Sequence, residues 1–114
     1  MAQQFINGHE VEVVVIAVDG RTDPQATLTQ REVATVEAVD ATLNSNAEFT
    51  AAYPDARLAR IDSNRGVNER RHGRYYLRYQ HAGGMTEFWG HVAKTPTVDF
   101  KKGVVGVPMP GPSS

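Results

Sequence analysis

The chain of 114 residues contains no cysteine. That absence excludes a disulfide framework, a thiolate zinc centre and a cysteine nucleophile. Long apolar runs are missing too. The longest, Val13 to Val18, has six residues, against the roughly 20 that a membrane-spanning helix needs. The opening, MAQQFINGHE, carries neither a basic n-region nor an apolar h-region, so it does not read as a secretory signal. His9, His72, His81 and His91 form no HxH, HExxH or i, i+4 pair, the spacings a histidine metal site uses. No Gly-x-Ser-x-Gly frame for a nucleophile is present. Gly83-Gly84 lies between two strand-like runs and opens no helix, so it makes no phosphate loop. The expectation is one soluble domain, intracellular or virion-associated, with no cofactor.

What is present is first an asymmetry of charge. The net charge is −1, but it is unevenly spread. Residues 1–56 hold two Arg and nine acids, a net of −7, whereas residues 57–114 hold ten Lys or Arg and four acids, a net of +6. Seven arginines, Arg57, Arg60, Arg65, Arg70, Arg71, Arg74 and Arg78, fall between positions 57 and 78. The two halves can neutralise each other within one domain. They can also present opposite faces that favour head-to-tail packing of copies. A nucleic-acid surface is the third reading, and the nine acids of the first half with a pI of 6.4 argue against it.

Residues 1–9 read as a polar arm. EVEVVVIAV, from Glu10, is a β-branched strand that begins half-exposed and ends buried on both faces. Thr29-Gln30-Arg31-Glu32 has capping-box spacing, and Val33, Val36, Val39/Asp40 and Leu43 follow at helical spacing, predicting a helix from Gln30 to about Leu43. Asn46 can cap a shorter helix closed by Pro54. ARLARID suits a strand. RYYLRYQH and MTEFWGHVA flank Gly83-Gly84, a hairpin signal. With Gly83-Gly84 as the loop, Tyr79 faces Phe88 and Arg78 faces Trp89. Tyr75, Leu77, Tyr79, Phe88 and Val92 then form the core side. A last strand falls at Val98–Phe100 or Val104–Val107. The expected fold class is α+β, with one long helix on a curved antiparallel sheet of four to five strands in β-α-β-β-β order. The expected divisions are an arm (1–9), the domain (10–107) and a flexible Pro/Gly/Ser tail (108–114).

AYPDARL at Ala52–Leu58, His72-Gly73, the Tyr75–Tyr79 strand, Gly83-Gly84 and Gly90 resemble the second half of small NTF2-like (SnoaL-like) domains over residues 52–93. The order of elements resembles the wider cystatin-like fold. The resemblance implies a cone between helix and sheet in which many members bind small apolar molecules, some acting as isomerases or cyclases. A β-rich stretch stands where that family has two leading helices, so the resemblance implies a fold rather than an activity.

Two sites follow. The polar side of the hairpin carries Tyr76, Arg78, Glu87, Trp89 and His91, and the arginine-rich stretch adds Arg65, Arg70, Arg71 and Arg74. Trp, Tyr and Arg dominate binding hot spots. This reading predicts a non-enzymatic structural or assembly subunit that forms a homo-oligomer or docks on a larger protein, a phage-type virion or tail protein being the favoured class. The simpler expectation for the same residues is a cross-strand cation–π pair of Arg78 on Trp89. The second site is an apolar pocket lined by Val36, Val39, Leu43, Tyr75, Leu77, Tyr79, His81 and Phe88, holding a small apolar ligand in an NTF2-like manner, with His81 or Tyr79 as its polar contact.

Overall fold

The computed structural model describes residues 2–16, 22–23, 25–64 and 74–108. The first strands, β1 (Ala2–Ile6) and β2 (His9–Ile16), form an antiparallel hairpin closed by Asn7-Gly8. Both turn residues have positive φ, 49° and 84°, as a two-residue type I′ turn requires. The stretch read as a polar arm therefore contains a strand of the sheet. β3 (Thr22–Asp23) adds a short antiparallel pairing to the end of β2.

Helix α1 (Gln30–Asn44) opens on the expected capping box: Glu32 N–H donates to Thr29 Oγ1 at 3.2 Å, and Thr29 N–H to Glu32 Oε1 at 2.9 Å. After Ser45, Asn46 caps the six-residue α2 (Ala47–Ala52) by accepting from Phe49 N–H at 2.9 Å. Five strands follow: β4 (Arg57–Asn64), β5 (Arg74–His81), β6 (Gly84–Val92), the short β7 (Thr97–Asp99) and β8 (Val104–Val107).

The sheet runs β1-β2-β4-β5-β6-β8-β7, with β3 beside β2. It is mixed, because β2 pairs parallel with β4 and β6 parallel with β8. The expected fold class is thus corrected: two helices of 15 and six residues pack on one eight-stranded mixed sheet, not one long helix on four to five antiparallel strands. The reason is topological. The crossover through α1 returns the chain in the direction of β2, so β4 lies parallel to it. β7 reverses the chain once more, and β8 enters beside β6 in the same sense.

The hairpin register is also corrected. The loop is Ala82-Gly83, so that His81 pairs with Gly84, Leu77 with Phe88 and Tyr76 with Trp89. The positive φ falls at Gly84 (121°), which takes the glycine position beyond a tight turn rather than a place inside it. Moving the loop by one residue shifts each pair by two. Parity is preserved, and Tyr75, Leu77, Tyr79 and Phe88 still face the core.

Both helices lie on one side of the sheet. Val36, Val39 and Leu43 of α1 and Phe49 of α2 are buried against Val11, Val13, Ile61, Leu77, Tyr79, Phe88 and Val105. Phe49 meets Tyr79 and Phe88 edge-on, with ring centres 5.2 and 5.4 Å apart, the arrangement aromatic quadrupoles favour. Gly90 lets α1 approach closely, since a Cβ there would fall 2.7 and 2.8 Å from the Val39 methyls.

Candidate functional site

Among the described residues, the other side of the sheet carries no helix, and the polar hairpin residues project from it. Tyr76 lies opposite Trp89, Arg74 opposite His91 and Arg78 opposite Glu87. The corrected register changes the partner of the tryptophan. Arg74, not Arg78, lies over the Trp89 ring, 5.2 Å from its centre, and the His91 ring is 5.0 Å from the Trp89 ring. Arg78 instead donates from Nε to Glu87 Oε2 at 2.9 Å and lies 3.7 Å from Asp62 Oδ2. Asp62 in turn accepts from Arg60 Nε at 2.7 Å. The hydrogen bond to Glu87 raises the Arg78 pKa above its ordinary value, with the charges of Asp62 and Glu87 adding to it against a smaller opposing effect of burial. Tyr76, Arg78, Trp89 and His91 are half-buried, while Arg74 and Glu87 are exposed. The structure thus brings together Arg74, Tyr76, Arg78, Glu87, Trp89 and His91. Arg65, Arg70 and Arg71 lie outside the described residues.

The residues proposed to line an apolar pocket have another place. Val36, Val39, Leu43, Tyr75, Leu77, Tyr79 and Phe88 all belong to the packed core, each no more than 5% exposed. His81 sits at the hairpin turn. Its Nδ1 accepts from Gly83 N–H at 3.1 Å, so Nε2 carries the proton and donates to Thr86 Oγ1 at 2.6 Å. The ring packs against Tyr53, 4.5 Å between centres. Both ring nitrogens are engaged in fastening the turn.

A cleft of about 690 Å³ opens elsewhere, between the β1–β2 turn, the end of α1 and the segment entering β4. Asp40 and Tyr79 line its inner end, and Asn7, His9, Ser45 and Arg57 are on its walls. Asp40 is buried; its Oδ1 accepts from the Tyr79 hydroxyl at 2.5 Å and its Oδ2 from Asn7 Nδ2 at 2.9 Å. Asn7 also donates from its backbone N–H to Glu37 Oε2 at 2.9 Å. Burial first, then the Asp40 charge and hydrogen bond, push the Tyr79 phenol well above its ordinary pKa. The phenol is therefore a donor to Asp40 and no base at neutral pH. Sequence reasoning passed over Asp40 as a site, although an acid inside a helical apolar stripe, between Val36 and Leu43, is the signal of a buried and partnered carboxylate.

Among the described residues, no group of three or more His, Asp or Glu side chains is placed to hold a metal ion. No helix there is long and apolar enough to cross a membrane. Comparison with protein-family models, with curated proteins and with solved structures gives no match.

Proposed function

We propose that this chain is a non-enzymatic assembly subunit that binds protein, a copy of itself or a larger partner, through the helix-free face of its sheet. The observation carrying this reading is the placement of the sole tryptophan. Trp89 lies on that face, directly opposite Tyr76, beneath Arg74 and beside His91. A solvent-facing sheet has no need of its only tryptophan, whereas a docking face uses Trp, Tyr and Arg as anchors and a ring of ion pairs as its rim. Arg60, Asp62, Arg78 and Glu87 supply such a rim. A phage-type virion or tail protein is the class we favour. The cysteine-free composition and the arginines clustered between positions 57 and 78 support it.

The test is the mass in solution, by light scattering, of the chain and of Trp89→Ala and Arg78→Glu, alone and with candidate partners. The expected result is an assembly that both substitutions weaken, Arg78→Glu most at low salt. An assembly indifferent to both removes this face from consideration.

The cleft favours a second reading, a small-molecule site. Its volume lies within the range of ligand pockets, about 300–1,000 Å³, and it offers polar groups beside an apolar wall. A compound that raises the melting temperature of the native chain but not that of His9→Ala with Arg57→Ala supports it. A screen in which every hit survives that double substitution counts against it.

A further inference from the structure

The two edges of the sheet differ in character. β7 is three residues long, follows Pro96, ends in Asp99 and runs into Lys101 and Lys102. Shortness, proline and charge are the means by which an edge strand is kept from pairing with another chain. β1 has none of them. Its five residues, AQQFI, include no charge and no proline, and its register with β2 runs unbroken from Ala2↔Val13 to Ile6↔His9. Phe5 is 69% exposed, more than any other large apolar side chain among the described residues. The Gln4 side chain clasps the Leu28 backbone, donating to its carbonyl at 3.2 Å and accepting from its N–H at 2.7 Å, which holds the strand in place.

The tight turn makes Ile6 and His9 a hydrogen-bonded pair. Alternation along an antiparallel ladder then directs the backbone bonds of Gln4 and Ala2 toward β2, and turns the N–H and C=O of Gln3 and Phe5 outward. Among the described residues, no backbone hydrogen bond is made to this outer rim. We propose that β1 pairs antiparallel with β1 of a second copy, about a two-fold axis at Gln4, so that one sheet runs through both molecules.

In this register Gln3 faces the partner's Phe5, and Phe5 faces the partner's Gln3. Each such pair uses the outward N–H and C=O groups in both directions. The two Phe5 side chains become diagonal neighbours at about 7–8 Å, within reach of each other. The occupant is a second copy because an uncharged strand can face itself without opposing like charges, and two-fold pairing is the commonest way for identical chains to associate. This inference stands apart from the open-face reading, since it uses backbone groups at the rim and no charged side chain.

The experiment is sedimentation equilibrium over a concentration series, at low and high salt, with circular dichroism to establish that each variant is folded. The native chain should rise from 12.5 kDa toward twice that mass, with no dependence on salt. Gln3→Pro removes only an outward N–H, a place where an edge strand tolerates proline, and should raise the dimer dissociation constant at least about tenfold. Phe5→Lys sets two cations diagonally across the axis and should weaken the dimer similarly, with partial recovery in salt. Trp89→Ala should leave it unchanged. A native chain that stays monomeric throughout overturns the proposal, as does a dimer that survives both β1 substitutions. A dimer lost in Trp89→Ala and retained in Gln3→Pro overturns the edge and supports the open face. The opposite pattern supports the edge and removes the open face as the site of self-association.

Discussion

Asp40 sits one helical turn beyond Val36 and just short of Leu43, where α1 turns its apolar stripe toward the sheet. A carboxylate is tolerated there because Tyr79 and Asn7 both donate to it. Asp40→Ala removes the acceptor from the buried Tyr79 hydroxyl and should cost about 1–3 kcal/mol, measurable by urea unfolding. Tyr79→Phe tests the phenol separately. In the unfolded chain a tyrosine ionises at about pH 10, whereas in the fold the Tyr79 pKa is raised. The folded state therefore holds the extra proton above that pH. The stabilisation is complete below about pH 10 and is lost as pH rises further, by up to about 1.4 kcal/mol per pH unit. Thermal melts of Tyr79→Phe should show a shallower alkaline decline than the native chain. Equal slopes would mean that the fold does not raise the Tyr79 pKa. The acid in the stripe was legible in the sequence; its partners were not, because Asn7 and Tyr79 reach it only through the fold.

At the scale of elements, local chemistry was readable and pairing was less so. The capping box formed at Thr29 and Glu32, and Asn46 capped the second helix. Thr29→Ala should cost about 1 kcal/mol in chemical denaturation. The Asn7-Gly8 turn carried a strong hairpin signal, yet the polar residues before it hid β1, whose inward anchors are only Ile6 and the clasping Gln4. The β5–β6 hairpin shows how far side-chain alternation reaches. It sorts residues to faces, and so fixes the parity of a register, but a shift of two passes unnoticed. The parallel pairs were hidden for a related reason, since alternation is the same whichever way a neighbouring strand runs. Gly90→Ala tests the close approach of α1 to β6. The added methyl meets Val39 and should destabilise by about 1–3 kcal/mol. Combining it with Val39→Ala should cost less than the sum of the two single changes.

In the whole molecule, the acidic and basic halves of the chain do not form separate lobes. β2 and β4 are neighbours, with Glu12 in register with Arg60, and β4 carries Asp62 between Arg60 and Arg78. Glu12 of the acidic half thus lies beside Arg60 of the basic half, whereas Arg60, Asp62, Arg78 and Glu87 pair within the basic half itself. Surface ion pairs between partly exposed side chains contribute roughly 0–1 kcal/mol each, so raising the salt should change the melting temperature of the isolated chain little. A strong salt dependence confined to an assembled form would place its origin between molecules. This contrast was legible as composition, but the sequence separation of about fifty residues between Glu12 and Arg60 makes such a pairing a property of the crossover, which local patterns do not encode.

Trp89, half-exposed on the helix-free face with an arginine over its ring and a histidine beside it, also makes the molecule its own optical reporter. Excitation selective for indole addresses a single chromophore, and that chromophore lies outside the packed core. Emission should therefore shift to shorter wavelength when a partner covers the open face, and should stay nearly constant when only the β1 rim is occupied. The same lamp that follows unfolding can thus tell which surface of the sheet has been used.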